Sequence, residues 1–385
     1  MLDIIRDLIK NCHLNLSPLR TTSRDRRCRL LTRRRSMTEI RWEQYPLVAE
    51  HELARHWLQR QAYLQLAPTT IDAYGRGLND YLSFCLKQNI QPAEVITRDL
   101  VALYVHDLAS RPNPKGAKIF SIESGHGLSN STMQQRITVL RLFCDSLIEQ
   151  QLRQDNPVGR GHYVPGRAFG GVRDRGLLPH YQKLPWIPSD LEWREVLQQL
   201  RNERLRNQVM LLLAYDGALR REELVRLEIR DFDFAYRQIR VCADHAKNGR
   251  ERVVGYSKVT SRLLEAYLQH RRTLEDQRGP LFLSESHRNA THPLALVTWS
   301  KLVQKIAQQT NLPRLTTHTL RHLRLTHMAR SHMDLHQIAL YAGHASLQTS
   351  MIYIHLSGVE LTEAVSRSLA TFERWIEMSL SENQS

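Results

Sequence analysis

A chain of 385 residues with 42% hydrophobic content can bury two or three separate cores. No apolar run reaches the ~18–20 residues a bilayer-spanning helix needs. Five scattered cysteines (Cys12, Cys28, Cys85, Cys144, Cys242) fit neither a disulfide framework nor a paired zinc site, and read as reduced thiols packed as small apolar groups. Fifty-four Lys and Arg against 39 Asp and Glu leave a net charge of +15, which points to a polyanionic partner and favours nucleic acid.

Residues 1–43 form a basic leader whose first 36 residues carry ten Lys and Arg against three Asp, or +7 of the +15. It opens with an acidic residue at Asp3 and has no small-residue cleavage pattern, so secretion is not indicated and a cytoplasmic, nucleoid-associated protein is expected. The run "RDRRCRLLTRRRS" suits a flexible arm on phosphates. It equally suits untranslated sequence ahead of a start at Met37, where ordinary folded-looking sequence begins.

Residues 44–156 carry helical periodicity. In "APTTIDAYGRGLNDYLSFCLKQN", Thr69 or Thr70 is the expected N-cap and Ile71, Tyr74, Leu78, Tyr81, Leu82 and Cys85 form one stripe. Thr97 caps a second helix, "TRDLVALYVHDLAS", and a loop over 109–131 precedes a third stripe in "STMQQRITVLRLFCDSLIEQ". The basic residues here lie on polar faces, a solvated surface or a DNA contact. Residues 157–188, rich in Gly, Pro and Arg, read as a basic interdomain linker. A second domain spans 189–357, starting at the Ser189 N-cap signature of "SDLEWREVLQQL".

Four segments of this second domain carry chemistry. In "YDGALRREELVRLEIRDFD", Asp216-Gly217 ends a helix and Arg220 and Glu223 lie one turn apart on the next, with Leu224 and Leu227 facing the core. An exposed ion pair would account for that spacing alone. In "RQIRVCADHAKNGRERVVGYS", two strand-like runs flank Asn248-Gly249, a hairpin turn that places Lys247 and Arg250 at its tip. In "TTHTLRHLRLTHMARSHM", Thr317 is the expected cap, His318 and Arg321 lie one turn apart, and His322 follows. The i,i+4 histidines suggest zinc, but HExxH is missing and Arg321 would repel a cation, so no metal is expected.

The fourth segment is "YAGHASLQTSMIYIHLS". Gly343-His344 ends one helix and Ser346 is expected to cap the next. On that helix Leu347, Met351 and Ile354 form the apolar stripe, with Tyr353 off it and available for chemistry. The four segments together supply two arginines, two histidines, a lysine and a tyrosine, without a carboxylate pair, P-loop or metal cluster. Guanidinium forks suit the non-bridging oxygens of a phosphodiester, an ammonium can protonate a leaving alkoxide, and an aryl hydroxyl can be a covalent nucleophile. The set fits metal-free covalent phosphodiester exchange.

In the order and spacing of these motifs, over about 44–357, the chain resembles the tyrosine recombinases of the phage-integrase family, in a mobile-element integrase or transposase branch or an Xer-like one. Arg220 and Glu223 match the family's arginine motif, Lys247 its hairpin lysine, His318 and Arg321 its HxLRH box, and His344 and Tyr353 its GH…Y box. The departures are Gly255 where proline is common, Ala342 where leucine is common, and Arg324 at a usually apolar position. The resemblance implies a mainly α fold with a small antiparallel hairpin or sheet. It also implies a helical SAM-like core-binding domain over 44–156 and a mixed α/β catalytic domain over 189–357.

Under the resemblance, Tyr353 attacks the scissile phosphate to give a 3′-phosphotyrosine and a 5′-hydroxyl. Arg220, Arg321 and His344 hold the non-bridging oxygens, His318 assists as base or donor, Lys247 protonates the leaving oxygen, and Glu223 orients Arg220. No cofactor, metal or membrane is needed. The implied partners are double-stranded DNA with a specific recombination site, a homotetramer on synapsed DNA, and an accessory recombinase or DNA-bending protein. The tail, 358–385, spaces Leu361, Val365, Leu369, Phe372 and Ile376 as a helix that packs on its own domain or, as the resemblance implies, docks on a neighbouring protomer. The alternatives are a type IB topoisomerase-like enzyme and a catalytically silent DNA-binding protein of the same fold.

Overall fold

The computed structural model describes residues 39–90, 96–111, 128–159, 163–164, 172–173, 178, 184–242, 250–275 and 279–358, together with helical positions 365–366, 369–370, 372–373 and 375–377. The leader up to residue 38, most of the loop at 109–131, most of the linker, Lys247 and the Asn248-Gly249 turn lie outside the described residues. The chain divides into two units, Met1–Gln182 and Lys183–Ser385.

The first unit is built from α1 (Pro46–Glu50), α2 (Glu52–Tyr63), α3 (Pro68–Lys87), α4 (Arg98–Ser110) and α5 (Asn130–Glu149), with a short antiparallel pair of β1 (Tyr163–Val164) and β2 (Val172–Arg173). The expected stripe of α3 is inward: Ile71, Leu78, Tyr81, Leu82 and Cys85 are buried and Tyr74 packs against their cluster. Its start differs from expectation, because Ala67 is the N-cap and Pro68 the first helical residue. Proline fits there since its missing N–H would be unsatisfied in any case. Thr97 caps α4 as expected, accepting from the Leu100 amide at 3.2 Å.

Aromatic packing unites these helices, with Trp57 stacked on Tyr74 at 5.5 Å and edge-on to Phe143 at 5.7 Å. The Tyr45 ring lies over Gly75 so closely that a Cβ there would meet it at 2.9 Å, which explains a glycine inside a helix. Cys85 and Cys144 are free and buried, as small apolar residues would be.

The second unit contains α6 (Asp190–Leu200), α7 (Leu205–Asp216), α8 (Arg221–Val225), β3 (Phe232–Asp233), β4 (Gln238–Val241), β5 (Arg252–Gly255), α9 (Lys258–Leu274), α10 (Leu296–Gln309), α11 (Thr317–Arg330), α12 (Leu335–Ala342) and α13 (Gln348–Ser357). Mainly α with one small antiparallel sheet, ordered β3-β4-β5, is the fold class the sequence implies. Ile239 pairs with Val254 and Val241 with Arg252, and alternation turns all four inward. Ser189 and Glu192 form a capping box at α6, and Asp216 accepts from Ser257 and Thr260 at the start of α9. The main core gathers Leu211, Leu224, Ile239, Tyr267, Trp299 and Leu320. A satellite cluster of Ala218, Leu325, Met328, Ala329, Ile338, Ala342 and Tyr353 joins α11, α12 and α13.

Candidate active site

Three chain reversals converge on the satellite cluster. The first follows α7, whose cap Gly217 leads into Ala218 at φ +46°, a left-handed conformation that costs a non-glycine residue about 1 kcal/mol or more. That turn aims the Ala218 carbonyl at Arg321, which donates to it at 2.6 Å. The second is the cap of α11. It is Thr316 rather than the expected Thr317, and it sets His318, Arg321 and His322 along the first turns of the helix. The third is Gly343, at φ +64°, which ends α12 and delivers His344.

Arg220 precedes α8, and its guanidinium donates to Glu223 at 2.8 Å and to the Gly343 carbonyl at 3.3 Å. The Glu223 carboxylate is buried and also accepts the Arg220 backbone N–H at 2.8 Å. Its second cation is Arg252 on β5, paired in bidentate fashion at 3.0 and 2.7 Å and donating through Nε to the Tyr341 carbonyl at 2.9 Å. Burial works to raise the Glu223 pKa. Hydrogen bonds and charge from Arg252, then Arg220, more than reverse it and leave the carboxyl at about 2.

Arg321 is 5% exposed, and besides Ala218 it donates to the Ala342 carbonyl at 2.5 Å and to His344 Nε2 at 3.1 Å. Burial, and then the neighbouring charges of Arg220 and Arg252, lower its pKa to about 10. Three guanidinium groups thus face one carboxylate in a largely buried setting. Such a surplus of buried positive charge is stabilised by an incoming anion.

The imidazole of His344 is lowered to about 4 by burial and by Arg321, Arg220 and Arg252, so it is neutral near pH 7. Because Arg321 occupies Nε2, the proton of this tautomer is on Nδ1, which donates to Ser350 Oγ at 2.7 Å. The ring stacks on that of Tyr353 at 5.9 Å and 8°.

Tyr353 corrects the sequence reading. It is 2% exposed and packed into the satellite cluster, whereas Leu347, assigned to the apolar stripe, is 48% exposed. Leu347 is itself the N-cap of α13, and the Ser346 side chain accepts the Gln348 amide at 3.2 Å. The phenol points at α11, where its oxygen lies 3.1 Å from His322 Nδ1. Burial raises the Tyr353 pKa, while the charges of Arg321 and Arg220 and a hydrogen bond from Arg321 pull it back.

Arg220, Glu223, Arg321, His344 and Tyr353 therefore form one connected constellation. His318 stands exposed one turn before it on α11, near enough that its charge lowers His322. Two members escaped sequence reasoning. Arg252 was signalled by strand alternation, which puts it on the inward face with Val254. His322 was noticed only as a metal candidate.

The three departures from the family pattern have local partners. Gly255 donates its N–H to Tyr341 Oη at 3.2 Å, a bond proline could not make, and Tyr341 donates to the Asp216 carbonyl at 2.7 Å. Ala342 supplies the carbonyl under Arg321, and the Arg324 guanidinium lies over the Tyr215 ring at 5.5 Å. Among the described residues no cluster of metal-ligating side chains occurs, and no helix is long and apolar enough to cross a membrane. A cleft of about 660 Å³ lined by Arg204, Arg206, Glu285 and His287 contains none of the constellation.

Residues 190–359 match the family described as "Phage integrase family". Tyrosine recombinase XerC of Haemophilus influenzae (strain 86-028NP) is 25% identical over 324 residues, covering 82% of this chain and 96% of that protein. Tyrosine recombinase XerD of Halalkalibacterium halodurans is 24% identical over 311 residues, covering 77% and 90%. Two solved structures share the fold at a TM-score of 0.59. One is the XerH recombinase bound to palindromic difH substrate in a post-cleavage complex (20% identity, 86% of this chain and 90% of that one). The other is the Tn1549 transposon integrase in complex with a circular intermediate DNA (14% identity, 80% and 93%).

Proposed function

We propose that this chain, whose residues 190–359 match the phage integrase family, is a tyrosine recombinase that cuts and rejoins double-stranded DNA at a specific site through a 3′-phosphotyrosine link. The observation that carries this reading is the stack of His344 on Tyr353 beside a buried cluster of three guanidiniums and one carboxylate. Arg220 and Arg321 hold the non-bridging oxygens and stabilise the charge that builds on them. Glu223 orients Arg220 and is itself held by Arg252. On phosphate binding His344 takes the other tautomer, with Nδ1 accepting from the Ser350 hydroxyl and Nε2–H donating to a non-bridging oxygen in place of the Arg321 contact. His318 assists at the exposed edge, and Lys247 protonates the leaving 5′ oxygen. The phosphodiester energy is kept in the phosphotyrosine, so neither nucleotide nor metal enters.

Assembly belongs to the same proposal: a homotetramer on synapsed DNA, aided by an accessory recombinase or DNA-bending protein. The described tail residues Val365, Leu369, Phe372, Trp375 and Ile376 are all more than 40% exposed, the apolar face that docking on a neighbouring protomer would cover. The basic leader, the long loop at 109–131 and the basic linker favour a mobile-element integrase. The XerC and XerD relatives favour a resolvase of chromosome dimers.

The test uses nicked suicide duplexes drawn from DNA flanking the protein's own gene. Wild type should give a covalent adduct on a denaturing gel and Tyr353→Phe none. No wild-type adduct with any fragment, or an undiminished one with the variant, would overturn the proposal. Relaxation of supercoiled DNA lacking any site would instead indicate a topoisomerase. Mapping the adduct to an element end or to a chromosomal dimer-resolution site separates the two biological readings.

A further inference from the structure

Something must take the phenolic proton when Tyr353 attacks; the family resemblance offers His318 as base or donor, but His318 is exposed and it is His322 that the structure sets against the phenol. Resting on the recombinase reading, we propose that His322 is the acceptor: it receives the Tyr353 proton during strand cleavage and returns it to the phenolate during rejoining. The geometry is direct. His322 Nδ1 lies 3.1 Å from Tyr353 Oη, with the rings 5.8 Å apart and tilted by 36°.

His322 can play that part only if its Nδ1 carries a lone pair. Burial, with the charges of His318 and Arg321, keeps the ring well below its ordinary pKa, at about 4, so it is neutral near pH 7. Such a weak base does not ionise the phenol ahead of attack. Transfer accompanies attack, when the phenol becomes acidic as the O–P bond forms. The phosphate charge settling between Arg220 and Arg321 also relieves part of the Coulombic penalty on the imidazolium. The balance closes: Tyr353 Oη–P forms and P–O5′ breaks, the phenol proton goes to His322 Nδ1, and a separate proton from Lys247 goes to the 5′ oxygen. Rejoining reverses each step.

The position is built rather than incidental. His322 is on α11 immediately after Arg321, so the residue that binds phosphate and the residue that receives the proton share one rigid element. The His322 carbonyl accepts Thr326 Oγ1 at 2.9 Å, and Thr326 is fully buried.

The experiment compares single-turnover adduct formation on an ordinary substrate and on one with a 5′-bridging phosphorothiolate, whose thiolate leaves without a proton. Wild type, His322→Ala, His322→Asn and Lys247→Ala are compared after melting curves establish that each is folded. His322→Asn keeps an acceptor near the Nδ1 position but cannot take a proton, and it decides the matter if the alanine variant does not fold. Both His322 variants should be slowed about 100-fold, equally on the two substrates. The Lys247 variant should be slow on the ordinary substrate and recover on the thiol one. A His322→Asn rate within threefold of wild type, or recovery of either His322 variant on the thiol substrate, overturns the assignment. Absence of any Tyr353-dependent adduct from wild type would instead overturn the recombinase reading itself, so the two failures are distinguishable.

Discussion

Glu223 is the residue on which the cationic site depends. It is buried, and without it Arg220 and Arg252 would face each other across a desolvated gap. Glu223→Gln should therefore destabilise the second unit by about 3–5 kcal/mol at pH 7, read by urea unfolding. Its pH dependence has a defined sign. The folded-state pKa of about 2 lies below the ordinary carboxyl value, so the stabilisation is fully present above about pH 5 and is lost as pH falls toward 2. The amount is roughly 3 kcal/mol, and the glutamine variant should lose stability less steeply between pH 5 and 2.5. Parallel acid limbs for the two proteins would contradict this. Arg220 and Glu223 could be paired from their spacing. Arg252 could not, because its partner is 29 residues away: strand alternation turns it inward without saying which carboxylate it meets.

At the scale of elements, the reversals matter more than the helices they join. Gly343 takes φ +64°, and a Cβ there would approach the Arg252 side chain at 3.1 Å. Gly343→Ala should cost about 1–2 kcal/mol for the left-handed backbone alone and lower the melting temperature. It should also slow adduct formation several-fold, because its carbonyl accepts from Arg220 and it precedes His344. An unchanged melting curve and rate would refute that role. Gly343 as a helix end, Ser189 and Thr97 as caps, and the inward stripe of α3 were all legible, since each rests on local chemistry or on several turns of periodicity. The face of α13 was not. It has ten residues, fewer than three turns, so Leu347, Met351 and Ile354 define a stripe only loosely. What turns Tyr353 inward is tertiary: the small Ala342 and Ala329 leave room for an aromatic ring, and His322 offers its hydroxyl a partner.

For the whole molecule the relevant quantity is the charge of +15, which composition alone revealed. DNA affinity should fall steeply with salt, by about 0.9 in the logarithmic slope for each phosphate neutralised. Residues 1–36 carry +7 of that charge, yet every residue of the catalytic constellation lies after them. A chain begun at Met37 should form the covalent adduct at the rate of the full chain, and loss of adduct would show that the leader takes part in cleavage. Tyr353 as the covalent nucleophile is the central claim, and its most direct test is to isolate the protein–DNA adduct, digest it, and map the modified residue by mass spectrometry. Nucleotide phosphate on Tyr353 is the predicted result. The same mass on any other residue, or an unmodified Tyr353 peptide from purified adduct, would contradict it.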